Sequence, residues 1–268
     1  EYFKLSRIGA VSPGYQADIA IIDDLKDFNV KMVFRRGELV AQNGKFIGKK
    51  VNSACEVRGT INVKWLYERD FKLTVSGKFN GIQKAQIIEI IPEQIVTKRK
   101  ILNVKVKNGI VQTDTKNDIL KLVVVERHRA TGNIGKGLVT GFGLKRGAIA
   151  SSVAHDSHNI ICVGVDDKSI FNACVEIVKI GGGLTVADKT KILGRLPLPI
   201  GGLMSEKSLS QVNRELNKLI SITNKIGCKI SDPFMQLSFL ALPVIPELKL
   251  TDKGLVDVNK FKIVKLFL

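Results

Sequence analysis

The stretch DILKLVVVERHRATG, residues 118–132, contains a strand-like run that is followed by the charged cluster ERHR. Ile119 to Val125 is apolar except for Lys121. A run of this kind is typical of a strand that is covered on both faces of a sheet. Further short apolar runs and two helical patterns follow along the chain. The sequence therefore predicts a mixed α/β (α+β) fold, with a mixed sheet in its larger part.

The first fifty residues predict short strands joined by turns. The apolar run Ile19 to Ile22 ends at Asp23, and VKMVFRRGELVAQNGK then alternates apolar and polar residues around turns at Gly37 and Gly44. We predict a β-rich first domain over residues 1–50 and an α/β second domain over residues 51–268. The boundary is expected near residues 45–60.

Two later segments predict helices. In DDKSIFNACVEIVKIGGG, Asp166 or Asp167 can cap the first turn, and apolar residues follow at helical spacing. In SLSQVNRELNKLISITNKIG, Ser208 and Gln211 match a capping box. Each pattern is followed by glycine, which is typical of the residue just beyond a helix end.

The net charge of +17 makes nucleic acid the first partner to consider. Residues 151–200, however, hold five basic and five acidic residues, and no nucleic-acid-binding motif is present. The composition therefore disfavours a nucleic-acid partner. It also disfavours a membrane protein, because no apolar run approaches the roughly 20 residues that a membrane-spanning helix needs. Four dispersed cysteines without a CxxC pair favour a reducing cytoplasm.

The central region is rich in glycine and contains serines close to histidines. GNIGKGLVTGFGLKRGAIA, residues 132–150, lacks the G-x-G-x-x-G spacing, and Lys136 is not followed by Ser or Thr. Its glycines are better explained by turns and by close approach between strands. Ser152 and Ser157 lie in no G-x-S-x-G motif. A phosphate loop and a serine nucleophile are therefore both disfavoured.

The histidines give the strongest candidate site. The stretch SSVAHDSHNIICVG, residues 151–164, holds two of the three histidines in a predicted turn, and the third lies in ERHR after the central run. If the two preceding strands are parallel neighbours, both clusters lie at one sheet edge, where ligands gather in open α/β sheets. The candidate site residues are His155, Asp156, His158, Asn159 and His128. The alternative is structural: these side chains satisfy the main-chain groups of their own turn.

The same histidines and Asp156 argue against a metal site within this chain alone. Zinc needs three or four ligands, and all three histidines together with Asp156 would barely supply them. The H-x-E and P-C-x-x-C signature of zinc-dependent nucleobase deaminases is absent as well.

Three longer stretches closely resemble the C-terminal domain of bacterial-type adenine deaminases. They are ERHRATGNIGKGLVTGFGLKRGAIASSVAHDSHNIICVG, LPLPIGGLMS and PFMQLSFLALPVIPELKLTDKGLVDV, and the resemblance runs from about residue 85 to 268. Upstream, IGAVSPGYQADIAIIDDL and FRRGELVAQNGK resemble the region where amidohydrolase-superfamily chains leave their catalytic barrel and complete a small β-domain. Residues 1–50 are thus identified as a remnant of that β-domain.

The resemblance implies an enzyme of purine salvage that hydrolyses adenine to hypoxanthine and ammonia. It implies manganese or iron bound by a (β/α)8 barrel, a cytoplasmic location and a homodimer. Because no barrel sequence precedes Glu1, we expect a C-terminal part that binds no cofactor itself and is inactive alone. In such an enzyme the AHDSHN turn would reach the barrel mouth, where its polar residues could bind the purine or order the metal ligands. The alternative is a noncatalytic module that binds a purine or a partner.

Overall fold

The computed structural model describes residues 3–49, 57–77 and 79–268. The chain divides into two compact units, Glu1–Ala54 and Cys55–Leu268. The mixed α/β class predicted from the sequence is confirmed, since strands predominate and a few helices accompany them.

The described part of the first unit forms an antiparallel sheet of four strands: β1 (Ile19–Ile22), β2 (Val30–Arg35), β3 (Glu38–Gln42) and β4 (Lys45–Phe46), in that order. Two hairpins connect β2 to β3 and β3 to β4. Arg36 and Gly37 in the first turn, and Asn43 and Gly44 in the second, all have positive φ. Consecutive positive φ values are those of the hairpin turns that match strand twist. The strands and turns predicted for this segment are confirmed.

The second unit is built on a sheet of nine strands among the described residues, in the order β13-β12-β10-β11-β8-β9-β5-β6-β7. All neighbours are antiparallel except β5 and β9, which are parallel, so the sheet is mixed as predicted. Its strands are β5 (Gly81–Ile90), β6 (Thr97–Lys107), β7 (Ile110–Val111), β8 (Leu120–Val125), β9 (Ile134–Thr140), β10 (Ala148–Ser151), β11 (Ile160–Gly164), β12 (Gly183–Asp188) and β13 (Lys191–Pro197).

Strand β8 lies at the centre of the core, and every residue in it is buried. Leu122 and Val124 face one hydrophobic cluster, whereas Val123 and Val125 face another on the opposite side of the sheet. Lys121 is buried on the second side, where its ammonium group pairs with Asp167. The strand is therefore covered on both faces, as the sequence predicted.

Helices cover both faces of this sheet. One face packs against α1 (Asp167–Lys179), and the other against α2 (Leu209–Lys225) and α3 (Pro233–Ser238). Asp166 caps α1 by accepting a hydrogen bond from the Ser169 amide, and Ser208 forms the predicted capping box of α2 with Gln211. No helix in the described residues combines the length and apolar character needed to span a membrane.

A small antiparallel sheet completes the second unit with β14 (Leu248–Thr251), β15 (Gly254–Asp257) and β16 (Lys262–Val264). It packs close to β9. A Cβ atom added to Gly135 would lie 1.8 Å from the main-chain oxygen of Thr251. Gly135 of β9 thus permits close approach between strands, as favoured for the glycines of that stretch.

Candidate functional site

The candidate site lies at one end of the central strands of the nine-stranded sheet, which we call the site edge. Residues 152–159 connect β10 to β11, and β11 pairs antiparallel with β8, so that Ile160 lies opposite Val125. The segment that follows β8 therefore reaches the same edge as this loop. The condition under which the sequence predicted a shared edge, that β8 and β10 are parallel neighbours, is not met. The two strands run in the same direction, but β11 lies between them.

Arg127 is the residue that ties the loop to its surroundings. Its side chain is only 2% exposed, and its Nε atom donates to the main-chain oxygen of His158. Its two terminal nitrogens donate to the main-chain oxygens of Thr60 and Gly201, each at 3.1 Å. Within the described residues its guanidinium forms no ion pair, so its charge is balanced by carbonyl dipoles. Burial lowers the pKa of this guanidinium.

Glu126 holds the turn that follows β8 at the same edge. Its carboxylate accepts hydrogen bonds from the amides of His128, Arg129 and Thr131 at 2.5–2.9 Å, and from the Thr131 hydroxyl at 3.0 Å. Burial acts to raise the pKa of this carboxyl, but these bonds outweigh it and lower the pKa from 4.5 to about 2. Its hydrogen-bonding capacity is thus used within its own turn.

His158 is held in one orientation by the turn. It has a positive φ of 50° and is half-buried. Its Nδ1 atom accepts a hydrogen bond of 3.3 Å from the Ala154 amide. Burial, His155 and Arg127 lower the pKa of His158, and Asp156 opposes them. A neutral imidazole that accepts at Nδ1 carries its proton at Nε2. Nε2 has no hydrogen-bond partner in the described residues, so it is an available donor.

His155 and Asp156, which precede His158 in the loop, have different surroundings. The His155 ring is 4.9 Å from the Phe239 ring and 5.6 Å from the His158 ring, measured between centroids. The His155 amide donates to the main-chain oxygen of Ser238 at 3.2 Å. Asp156 is open to solvent, whereas His155 and His158 are partly buried.

Asn159 and His128 are used within the structure instead. The Asn159 amide oxygen accepts from the Arg127 main-chain amide at 3.2 Å, and its nitrogen donates to Asp252 at 3.3 Å. His128 Nε2 lies 2.6 Å from the main-chain oxygen of Ser157. Both side chains therefore stabilise the loop. All five predicted site residues lie at one edge, but the role of each in catalysis stays a prediction.

The described residues do not fit a metal ion. They contain no group of three or more His, Cys, Asp or Glu side chains arranged to hold one. Nε2 of His128 and Nδ1 of His158 are each hydrogen-bonded to a main-chain group. Ser152 is equally committed, because its buried hydroxyl donates to Gly202 and accepts from the Gly183 amide at 2.5 and 2.7 Å.

Comparison with known proteins gives the family. Residues 94–262 match the model of the adenine deaminase C-terminal domain. The chain belongs to this family. It is 51% identical, over its whole length, to adenine deaminase 2 of Carboxydothermus hydrogenoformans. It is 48% identical to the adenine deaminase of Methanothrix thermoacetophila, again over all of the chain, and 44% identical over 98% of the chain to that of Clostridium acetobutylicum.

The chain spans about half the length of these relatives. The matched part is 46% of each of the three relatives named. The family assignment therefore covers this chain as a C-terminal domain and confirms the resemblance found in the sequence.

Three residues important to the site were missed by the sequence analysis: Arg127, Glu126 and Asp252. Arg127 and Glu126 stand directly after the buried strand β8, and this position in the sequence could have indicated that they belong to the site. Asp252 gave no signal, because it lies in a different hairpin and reaches Asn159 only in the folded chain.

Proposed function

We propose that this chain acts as the C-terminal part of an adenine deaminase, an enzyme that hydrolyses adenine to hypoxanthine and ammonia. The observation that carries the proposal is the 51% identity, along the whole chain, to a protein named adenine deaminase 2. No feature of the described residues favours the noncatalytic alternative over it.

The loop at the sheet edge is proposed to meet the purine. Adenine offers ring nitrogens as acceptors and its exocyclic amine as a donor. The Nε2 proton of His158 suits a ring nitrogen, and the exposed Asp156 carboxylate suits the amine. His155 lies beside His158 and would form the edge of the same surface. Arg127, His128 and Asn159 would act through the loop by holding its main chain.

The hydrolytic step is assigned to the part of an adenine deaminase that this chain does not span, where the resemblance implies a catalytic barrel. We infer that the manganese or iron of such an enzyme is bound there, since the described side chains offer no ligand cluster. A place in purine salvage, a cytoplasmic location and a homodimer complete the proposal. The buried state of Cys162, Cys174 and Cys228, all unpaired, is compatible with a reducing compartment.

An ammonia-release assay on adenine tests the proposal. The samples are the isolated chain and a chimera in which it replaces the matching part of the Carboxydothermus hydrogenoformans relative. We expect ammonia and hypoxanthine from the chimera and none from the isolated chain. A folded, metal-loaded chimera without activity would contradict the proposal, and so would turnover by the isolated chain.

A further inference from the structure

The single tryptophan of the chain lies on the surface. Trp65 is 80% exposed, and Tyr67, two residues later, is 49% exposed. Tryptophan is usually well buried, and exposed aromatic groups of this size are enriched at protein interfaces. Residues 63–67, here called the Trp65 ridge, are anchored beneath by Val63 and Leu66, which pack against the α1 face of the core.

Cavities flank the Trp65 ridge on both sides. On one side a groove of about 400 Å³ is mostly apolar and is floored by Phe171, Val175 and Val178 of α1. On the other side a cavity of about 420 Å³ extends to Glu126 and Lys136. A projecting aromatic side chain between two hollows is a shape that a partner surface can enclose, burying a large apolar area at its centre.

We propose that the Trp65 ridge and its two cavities dock against the part of the adenine deaminase polypeptide that this chain does not span. This inference rests on the proposed function. The relatives are about twice as long as the matched segment, so the remainder of such an enzyme is available as the occupant.

The charges around the ridge favour this occupant over a second copy of the chain. Lys64, Arg69 and Lys179 line the two cavities and form no ion pair within the described residues. The cavities are also lined by the carboxylates of Glu68, Asp70 and Glu126. Arg69 instead stacks on the Tyr67 ring, 4.6 Å from its centroid. A second copy docked on this surface would bring these three cations close to their own counterparts, which is unfavourable. The partner surface is therefore expected to be apolar at its centre and to carry carboxylates opposite these three cations.

The ridge is directly continuous with the candidate site. Asn62 lies just before the ridge, and its main-chain N–H donates to the main-chain oxygen of Arg127 at 2.7 Å. The main-chain oxygen of Asn62 accepts from the Ala130 N–H at 3.0 Å. Arg127 in turn holds the loop that carries His158. Docking at the ridge would thus fix the position of the loop relative to the rest of the enzyme.

The test measures the solvent exposure of Trp65 in the isolated chain and in the chimera. Both are labelled with 5-fluorotryptophan, and Trp65→Phe identifies the Trp65 resonance by its loss. We expect a full H2O/D2O shift of the fluorine resonance in the isolated chain at every protein concentration, and its loss in the chimera. A Trp65 that stays exposed in the chimera would overturn docking. Protection of Trp65 in the isolated chain would also overturn docking. Protection that does not depend on concentration would show that the chain itself covers Trp65. Protection that rises with concentration would show that a second copy covers it.

A pair of substitutions gives a second readout. Trp65→Ser should lower the Tm of the chimera and leave that of the isolated chain unchanged. Leu209→Ser, at an 86% exposed position on α2, is the control and should change neither. Equal Tm shifts of the two variants in the chimera would refute docking. The activity assay separates the proposals, because a protected Trp65 without deamination refutes only the function, and deamination with an exposed Trp65 refutes only docking.

Discussion

His128 and Ser157 are joined by a hydrogen bond of 2.6 Å between the imidazole Nε2 and the serine main-chain oxygen. Because Nε2 must then donate to the loop, it cannot serve a ligand in the same state. The sequence presented His128, His155 and His158 as equivalent candidates. In the fold, one of them fastens the loop on which the other two are displayed.

Removal of the fasteners should loosen the loop. Arg127→Met leaves three main-chain oxygens without their donor, and we expect a loss of about 2–4 kcal/mol in the free energy of unfolding. His128→Ala should cost about 1 kcal/mol. Hydrogen exchange measures the effect directly. The amides of Ala154, His155 and His158, which are hydrogen-bonded within this region, should exchange faster in both variants. Unchanged exchange would show that the loop is held by other contacts.

Glu126 should make stability depend on pH in the acid range. Its pKa is about 2 in the folded chain and near 4.5 when unfolded, so its stabilisation is full above pH 4.5 and is lost as the pH falls towards 2. Glu126→Gln should therefore be less stable at pH 7 by about 1–3 kcal/mol. Chemical unfolding at a series of pH values should show this difference narrowing below pH 4.5. Glu68→Gln, at an exposed position, is the control and should show no such trend.

Lys249 should act at the opposite end of the pH scale. It is fully buried, and its ammonium group donates to the main-chain oxygen of Ile95 at 2.7 Å. Burial lowers its pKa from 10.5 to about 8. Between these values the unfolded chain holds a proton that the folded chain has released, so stability rises with pH, by about 1.4 kcal/mol per pH unit at most.

The matched variants are Lys249→Met and Lys253→Met, the second at an exposed lysine of the following turn. Relative to the unsubstituted chain, Lys249→Met should lose the rise in stability between pH 8 and 10.5. Lys253→Met should keep it. If both variants retain the rise, the titration belongs to another group.

Gly135 and Gly137 provide a test of the contact between β9 and the small sheet. A methyl group at Gly135 would meet a main-chain oxygen at 1.8 Å, whereas at Gly137 it would meet a Leu250 side-chain carbon at 3.4 Å. We expect Gly135→Ala to lower the free energy of unfolding by at least about 2 kcal/mol, and Gly137→Ala by less than about 1 kcal/mol. Equal losses in thermal or denaturant unfolding would contradict the close approach.

The sequence predicted features that depend on neighbouring residues. The capping box of Ser208 and Gln211, the cap of α1 and the hairpin turns at Gly37 and Gly44 all have local causes, and all were confirmed. The shared edge of His128 and the 152–159 loop was predicted for a wrong reason, because a sequence does not reveal that β11 lies between β8 and β10.

The partners of Arg127 could not be predicted in the same way. Its side chain connects Thr60, His158 and Gly201, which come together only when three separate segments meet at the edge of the sheet. The exposure of Trp65 was also hidden, since VKWLY contains no polar alternation that separates an interface residue from a core residue.

The proposed contact between the loop of this chain and adenine, through Nε2 of His158, is tested most directly by kcat/KM of the chimera for adenine. His158→Asn keeps an acceptor for the Ala154 amide and suits the positive φ, but its shorter side chain places no donor at the position of Nε2. We expect this variant to fold normally and to lose about 10- to 100-fold in kcat/KM. His158→Gln, which can retain a donor, should lose less, and Ser157→Ala should change little. Unchanged kcat/KM in a folded His158→Asn chimera would contradict the account.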